Sequence, residues 1–186
     1  MTIERVLVAF GSKHGATAEI ATWIGDRLRE RGLPVDVRRA ADVDDVEPYG
    51  AVVLGGSVYM GRWDATARHF SRRHQRALRE RPVWLFSSGP LDCSADHGEA
   101  APAPAAARAA RRVGAREHVV FGGRLAPDAE GPMMQAMAKE HAGDWRNPDR
   151  VRAWAHRIAD ALADVGPQRV DNSISRRRRQ GTAGSG

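Results

Sequence analysis

The sequence predicts a doubly wound α/β fold, a five-stranded parallel sheet with helices on both faces. Two observations carry this expectation: five short runs are apolar almost without interruption, and stretches of helical period lie between them. A strand covered on both faces reads as a continuous apolar run, and parallel neighbours need crossover connections. With 186 residues the chain is long enough for one core without disulfide or metal staples.

Arg5-Val6-Leu7-Val8-Ala9-Phe10, ending at Gly11-Ser12, is the first strand. Thr17–Arg31 follows as a helix with Ile20, Ala21, Ile24 and Leu28 on one face, and Gly32 stands where a C-cap glycine belongs. Val35–Val37 gives the second strand, Ala51–Gly55 the third, Val83–Ser87 the fourth and Val119–Gly122 the fifth. Helical patterns at Ala65–Arg79, Ala103–Val113 and Pro148–Asp164 make strands alternate with helices throughout. Leu125–Trp145 reads as an insertion with a short Met-rich helix at Pro132–Lys139. Residues 1–166 are expected to form the domain, and the Arg/Gly/Ser-rich stretch 167–186 a disordered basic tail.

The net charge is +6, but the chain from Asp171 onward holds Arg176–Arg179 against one acid and contributes +3 of it. Elsewhere basic residues interleave with acids, as in Asp26-Arg27-Leu28-Arg29-Glu30-Arg31, the pattern of a solvated helix face, so no nucleic-acid partner is expected. The single cysteine, Cys93, closes no internal disulfide, and no Cys/His cluster has zinc-like spacing, so no metal is expected. With no apolar run of about 20 residues and no signal-peptide pattern, a reducing, cytoplasmic setting is expected. The arginine tail admits loose attachment to an anionic membrane surface, at about 1 kcal/mol per arginine, beside the plainer reading of a solvated end.

In an open parallel sheet the ligand lies beyond the carboxyl ends of the strands, where strand order reverses. Three loops there have unusual composition. Ser12-Lys13-His14-Gly15-Ala16-Thr17 opens a helix whose N–H groups can meet one phosphate; it lacks both G-x-G-x-x-G and the G-K-[ST] ending. The plainer alternative is an ordinary strand-to-helix turn. Gly55-Gly56-Ser57-Val58-Tyr59-Met60-Gly61-Arg62-Trp63 holds three glycines in seven residues, so its backbone either turns tightly or passes close to something flat. Tyr59 and Trp63 offer aromatic surface there, or cap the core. Ser87-Ser88-Gly89-Pro90-Leu91-Asp92 offers backbone amides to a polar ring edge. No proton-transferring side chain is forced by the sequence: Asp92, Cys93 and His97 are nearest, and Cys93, with nothing basic beside it, reads as an ordinary thiol.

The three loops together resemble those of flavodoxins. A closer resemblance, covering Val6 to Leu162, is to the flavodoxin-like, menaquinone-dependent protoporphyrinogen oxidases. It rests on Gly55-Gly56-Ser57-Val58 with Gly61, on Phe86-Ser87-Ser88-Gly89-Pro90-Leu91, on the Met-rich insertion and on Asp144-Trp145-Arg146. The resemblance implies a flavodoxin-like fold and FMN as cofactor, with Ser12, Lys13, His14, Gly15, Ala16 and Thr17 at its phosphate. Gly56, Ser57, Val58, Tyr59, Met60 and Gly61 would flank one side of the ring, and Ser88, Gly89, Pro90 and Leu91 another. Ala16 and His14 depart from the family's polar residue and Thr, which leaves fewer side-chain donors.

The implied activity is electron transfer between a small organic substrate, of the porphyrinogen type, and a quinone. A flavodoxin-type electron carrier is the second reading, although the basic balance reverses the charge such carriers use for docking. A flavin-free binding module that keeps the fold is the third. The insertion methionines Met133, Met134 and Met137 would form an adaptable apolar patch or pack on the sheet.

Overall fold

In the computed structural model, which describes residues 5–12, 15–129 and 131–164, the apolar runs become strands with both faces covered. In chain order the elements are β1 (Val6–Gly11), α1 (Ala16–Glu30), β2 (Val35–Arg39), β3 (Ala51–Tyr59), β4 (Arg62–Trp63), α2 (Ala65–Arg73) and α3 (Gln75–Arg79). They continue with β5 (Val83–Ser88), α4 (Pro104–Val113), β6 (Glu117–Phe121), β7 (Arg124–Leu125), α5 (Pro132–His141), β8 (Gly143–Asp144) and α6 (Pro148–Ala163). Five strands pair in parallel in the order β2-β1-β3-β5-β6. The fold is the doubly wound α/β sheet that the sequence predicts.

Because side chains alternate along a strand, the central strands β1, β3 and β5 feed two cores. Val6, Val8, Val53 and Phe86 point to the face covered by Ile20, Ile24 and Leu28 of α1 and by Val151, Trp154 and Ile158 of α6. Leu7, Leu54 and Leu85 point the other way, onto Phe70 of α2, Leu78 of α3 and Ala106 and Val113 of α4. Each fully buried leucine contributes about 1.5–3 kcal/mol relative to exposure. α1 ends as expected, with Gly32 at φ 81 and the amides of Gly32 and Leu33 donating to the carbonyls of Arg29 and Leu28.

Four differences from expectation have local causes. No helix joins β2 to β3: a single 3-10 turn, Ala40–Asp42, is followed by irregular chain that buries Val43, Val46 and Tyr49. Arg81 holds this segment, its guanidinium donating to the Tyr49 carbonyl at 2.7 Å. The helix expected over Ala65–Arg79 breaks at His74, which leaves helical geometry at φ −102 and packs its ring on Phe70, 4.7 Å between centroids.

The third strand does not stop at Gly55. It runs to Tyr59 and folds back through β4, with Val58 opposite Trp63 and Tyr59 opposite Arg62. The two residues between, Met60 and Gly61, have φ 49 and 70, the geometry of a tight hairpin turn. Gly55 and Gly56 lie inside the strand, where a Cβ would stand 2.0 Å from the Phe86 ring and 2.4 Å from the Trp63 indole nitrogen. Their smallness thus admits the protein's own rings. Finally, the insertion contains a two-stranded ribbon, β7 with β8, that sequence periodicity does not show, and its helix extends to His141.

The chain end expected at residue 166 and the arginine tail lie outside the described residues. Among the described residues no helix is long and apolar enough to cross a membrane.

Candidate functional site

From β1 the chain winds outward to β2, while β3, β5 and β6 lie on β1's other side, so strand order reverses between β1 and β3. A crevice opens there, beyond the carboxyl ends of the strands. The chain that follows β1, β3, β5 and β6 converges on it around a cavity of about 140 Å³. That is small beside the roughly 300–1,000 Å³ of typical ligand sites, so a nucleotide-sized ligand would keep one edge in solvent.

One end of the cleft is lined by Ser12, Ala16 and Thr17. Gly15, at φ 83, is the N-cap of α1 and offers no side chain to its first turn. The contrast within the molecule is sharp. Asp64 accepts from the amides of Thr66 and Ala67 at 2.8 and 3.1 Å, and Asn147 accepts from Arg150 at 3.0 Å, each closing a helix start. The first-turn amides of α1 lack such a cap, and with the helix dipole they suit an anion. Ser12 shapes the turn, its Oγ accepting from the Gly15 amide at 3.1 Å. Gly15 therefore sets the loop and does not line the cleft, while Lys13 and His14 lie outside the described residues.

Ser57, Val58, Tyr59 and Met60 form one wall. Met60, at the hairpin tip, is 67% exposed. Gly56 and Gly61 do not line the cleft: the first backs onto Trp63, whose indole donates to the Gly56 carbonyl at 3.1 Å, and the second completes the turn. Trp63 is core, 1% exposed.

Ser88, Gly89 and Leu91 supply the facing wall. Of the backbone amides expected to be free in this loop, that of Gly89 is engaged, donating to the Phe121 carbonyl at 3.2 Å. Pro90 is not in the lining; its carbonyl accepts from the Gly123 amide at 2.7 Å and ties this loop to the chain after β6. Asp92 caps a 3-10 turn by accepting from the Ser94 amide at 2.9 Å, and hydrogen bonding to Ser94 holds its carboxyl below the usual range. Asp92, Cys93 and His97 all lie outside the lining.

The remaining wall was not foreseen. Gly123 and Arg124, after β6, close the cleft with Leu125 and Met137 of the insertion, whose Met133 and Met134 side chains lie outside the described ones. Arg146 fixes the insertion to α1. Its guanidinium meets Asp144 at 2.6 and 2.8 Å, donates to Glu19 at 2.7 Å, and lies 5.0 Å from the Trp23 ring centre. Hydrogen bonds donated by Arg146 hold the Asp144 carboxyl below its ordinary range, and donation to Asp144, then to Glu19, raises Arg146. Arg124 also pairs with Glu19, at 3.3 Å, and is the one described lining residue charged near neutral pH. The sequence signal for this wall was Asp144-Trp145-Arg146 together with the methionines.

Outside the cleft, His118 on β6 is the most perturbed base. Its Nε2 lies 2.9 Å from Ser87 Oγ, its Nδ1 is buried without a described partner, and burial pushes its pKa down to about 4.

Comparison with known proteins agrees with this geometry. A family model described as a flavodoxin domain matches residues 7–144. Protoporphyrinogen IX dehydrogenase [quinone] of Escherichia coli K12 is 28% identical over 85 residues, 45% of this chain, and the chain spans only 47% of that relative's length. Among solved structures, oxidised flavodoxin 2 from Bacillus cereus superposes with a TM-score of 0.56 at 18% identity, covering 87% of this chain and 99% of that one. A cysteine-to-serine mutant of flavodoxin from Pseudomonas aeruginosa gives 0.56 at 16%, covering 86% and 99%. Rubredoxin oxygen:oxidoreductase from Desulfovibrio gigas gives 0.61 at 12%, covering 88% of this chain and 37% of that one.

Proposed function

Because the chain belongs to the flavodoxin-domain family, we propose that it binds FMN in this cleft and passes electrons between an organic substrate, of the porphyrinogen type, and a quinone. The observation that carries the reading is one juxtaposition: an α1 N-terminus without a side-chain cap at one end of the cleft, and a lining that includes Val58, Met60, Leu91, Leu125 and Met137 at the other.

FMN, when bound, supplies the redox chemistry. The first-turn amides of α1, with the hydroxyls of Ser12 and Thr17, would hold its phosphate. Tyr59 and Met60 on one side and Leu91 on the other would flank the ring, and Leu125 and Met137 would keep water from its face. Arg124 would set a positive charge at the rim, where it favours an electron-rich ring. The described lining has no carboxylic acid, histidine or cysteine, so protons taken up or released on turnover would exchange with solvent or substrate.

The test is an absorption spectrum after FMN addition and desalting, followed by turnover with protoporphyrinogen as donor and menadione as acceptor. Retained flavin bands with donor-dependent menadione reduction are expected. Flavin held without turnover would leave an electron carrier, and a protein that never holds FMN would overturn the reading.

A further inference from the structure

A second cleft, about 550 Å³, lies against the same hairpin, between it and the start of α2. Ser57, Tyr59 and Met60 line both clefts. Its volume falls within the range of small-molecule sites, and no step of the proposed FMN binding uses it.

Its lining carries two arginines against one acid. Some arginines elsewhere are matched by acids, such as Arg27 with Glu30, Arg29 with Asp26, Arg31 with Asp160, Arg81 with Glu47, and Arg146 with Asp144 and Glu19. Arg62 and Arg68 line the second cleft, and neither has an ion pair among the described residues. The Nε of Arg68 is buried and meets no hydrogen-bond acceptor among the described residues. A buried N–H left unpaired is costly and rare. Asp64 is the acid in the lining, and its Oδ1 already accepts two amides at the start of α2, whose dipole offsets its charge. The rest of the surface includes the phenol of Tyr59 and the exposed thioether of Met60.

We propose that this second cleft binds an organic acid, an apolar ring carrying a carboxylate, with Arg68 and Arg62 pairing the carboxylate and the Tyr59–Met60 turn lying against the ring. A planar guanidinium presents two parallel donors to a carboxylate, which a lysine would not. Because the turn is a wall of both clefts, a ligand here sits one hairpin away from the first cleft. Binding of the acid does not rest on the FMN reading.

The experiment is isothermal titration of the full chain, with and without added FMN, using 2-naphthoate and its neutral analogue 2-naphthalenemethanol. Naphthoate should bind the natural chain, and Arg68→Gln should weaken it by about tenfold or more, the worth of a charge-assisted hydrogen bond. Arg62→Gln, at an exposed side chain, should weaken it several-fold and keeps the test decisive if the Arg68 variant does not fold. The alcohol should bind natural chain and variants alike, and FMN retention should not change. No naphthoate binding by the natural chain, or equal binding by the Arg62→Gln/Arg68→Gln double variant, overturns the proposal. FMN retained without naphthoate binding sinks this site alone, whereas naphthoate bound without FMN sinks the flavin reading alone.

Discussion

Replacing Arg146 with Gln should destabilise the fold by about 2 kcal/mol at neutral pH, a figure bracketed by the costs of breaking buried and exposed ion pairs. The Arg146 side chain is 4% exposed, while Glu19 and Asp144 are 47% and 46% exposed. Breaking a fully buried pair from one side costs about 3–5 kcal/mol, and an exposed pair about 0–1 kcal/mol. Here the cation is buried and both anions are half in water, so the abandoned carboxylates rehydrate and the cost falls between these limits. Loss of the guanidinium over Trp23 accounts for about 0.5–1 kcal/mol of it. The assay is urea unfolding followed by far-ultraviolet circular dichroism at several pH values.

The pH dependence makes the prediction stricter. Arg146 holds the Asp144 carboxyl below its ordinary value in the folded chain. Its contribution is therefore present above the unfolded pKa of about 3.9, and is lost as pH falls through the lower folded value. The gap between natural chain and variant should be full at pH 7 and shrink below about pH 4. Equal unfolding midpoints at pH 7, or a gap that persists undiminished into strong acid, would refute the reasoning.

Two further outcomes are expected. His118, with its pKa pushed from 6.5 to about 4 by burial, binds its proton more readily in the unfolded chain. Its contribution is full above about pH 6.5 and is lost as pH falls towards 4, by at most about 1.4 kcal/mol per pH unit. His118→Leu should flatten that slope in urea titrations, and an unchanged slope would show that the imidazole is not held neutral. Met60 adopts φ 49 with an exposed side chain, so Met60→Asn, better suited to left-handed backbone, should raise stability by about 1 kcal/mol. A lower midpoint would mean that the thioether packs on the protein.

How far the sequence could be read follows from how local each signal is. Val6–Phe10 and Val83–Ser87 announce strands because a strand covered on both faces has no polar side to display. Ile20, Ile24 and Leu28 announce α1, and Gly32 its end. Gly55 and Gly56 misled because glycine composition is local, whereas the rings that fill their Cβ positions come from Phe86 and Trp63. The segment between β2 and β3 fails as a helix because it is rich in Asp and has Pro48, and covers the sheet with only Val43, Val46 and Tyr49.

At the cleft, Ser12, Thr17, Val58, Tyr59, Met60, Ser88 and Leu91 were legible as loop residues beyond strand ends. Gly123, Arg124 and Leu125 were not, since a ribbon of two residues per strand has no period. Their position depends on an ion pair that spans the chain.

That span bears on how the molecule is made. Glu19 and Arg146 are 127 residues apart, and α1 shares its core with α6, the last described helix. Contacts of such long range form late. Until Arg146 has emerged, the wall formed by Arg124, Leu125 and Met137 lacks its Arg146 tie to α1. The cleft wall is thus fully tied down only once Arg146 has reached α1, and a polypeptide halted before Arg146 would lack the ion pair that holds it.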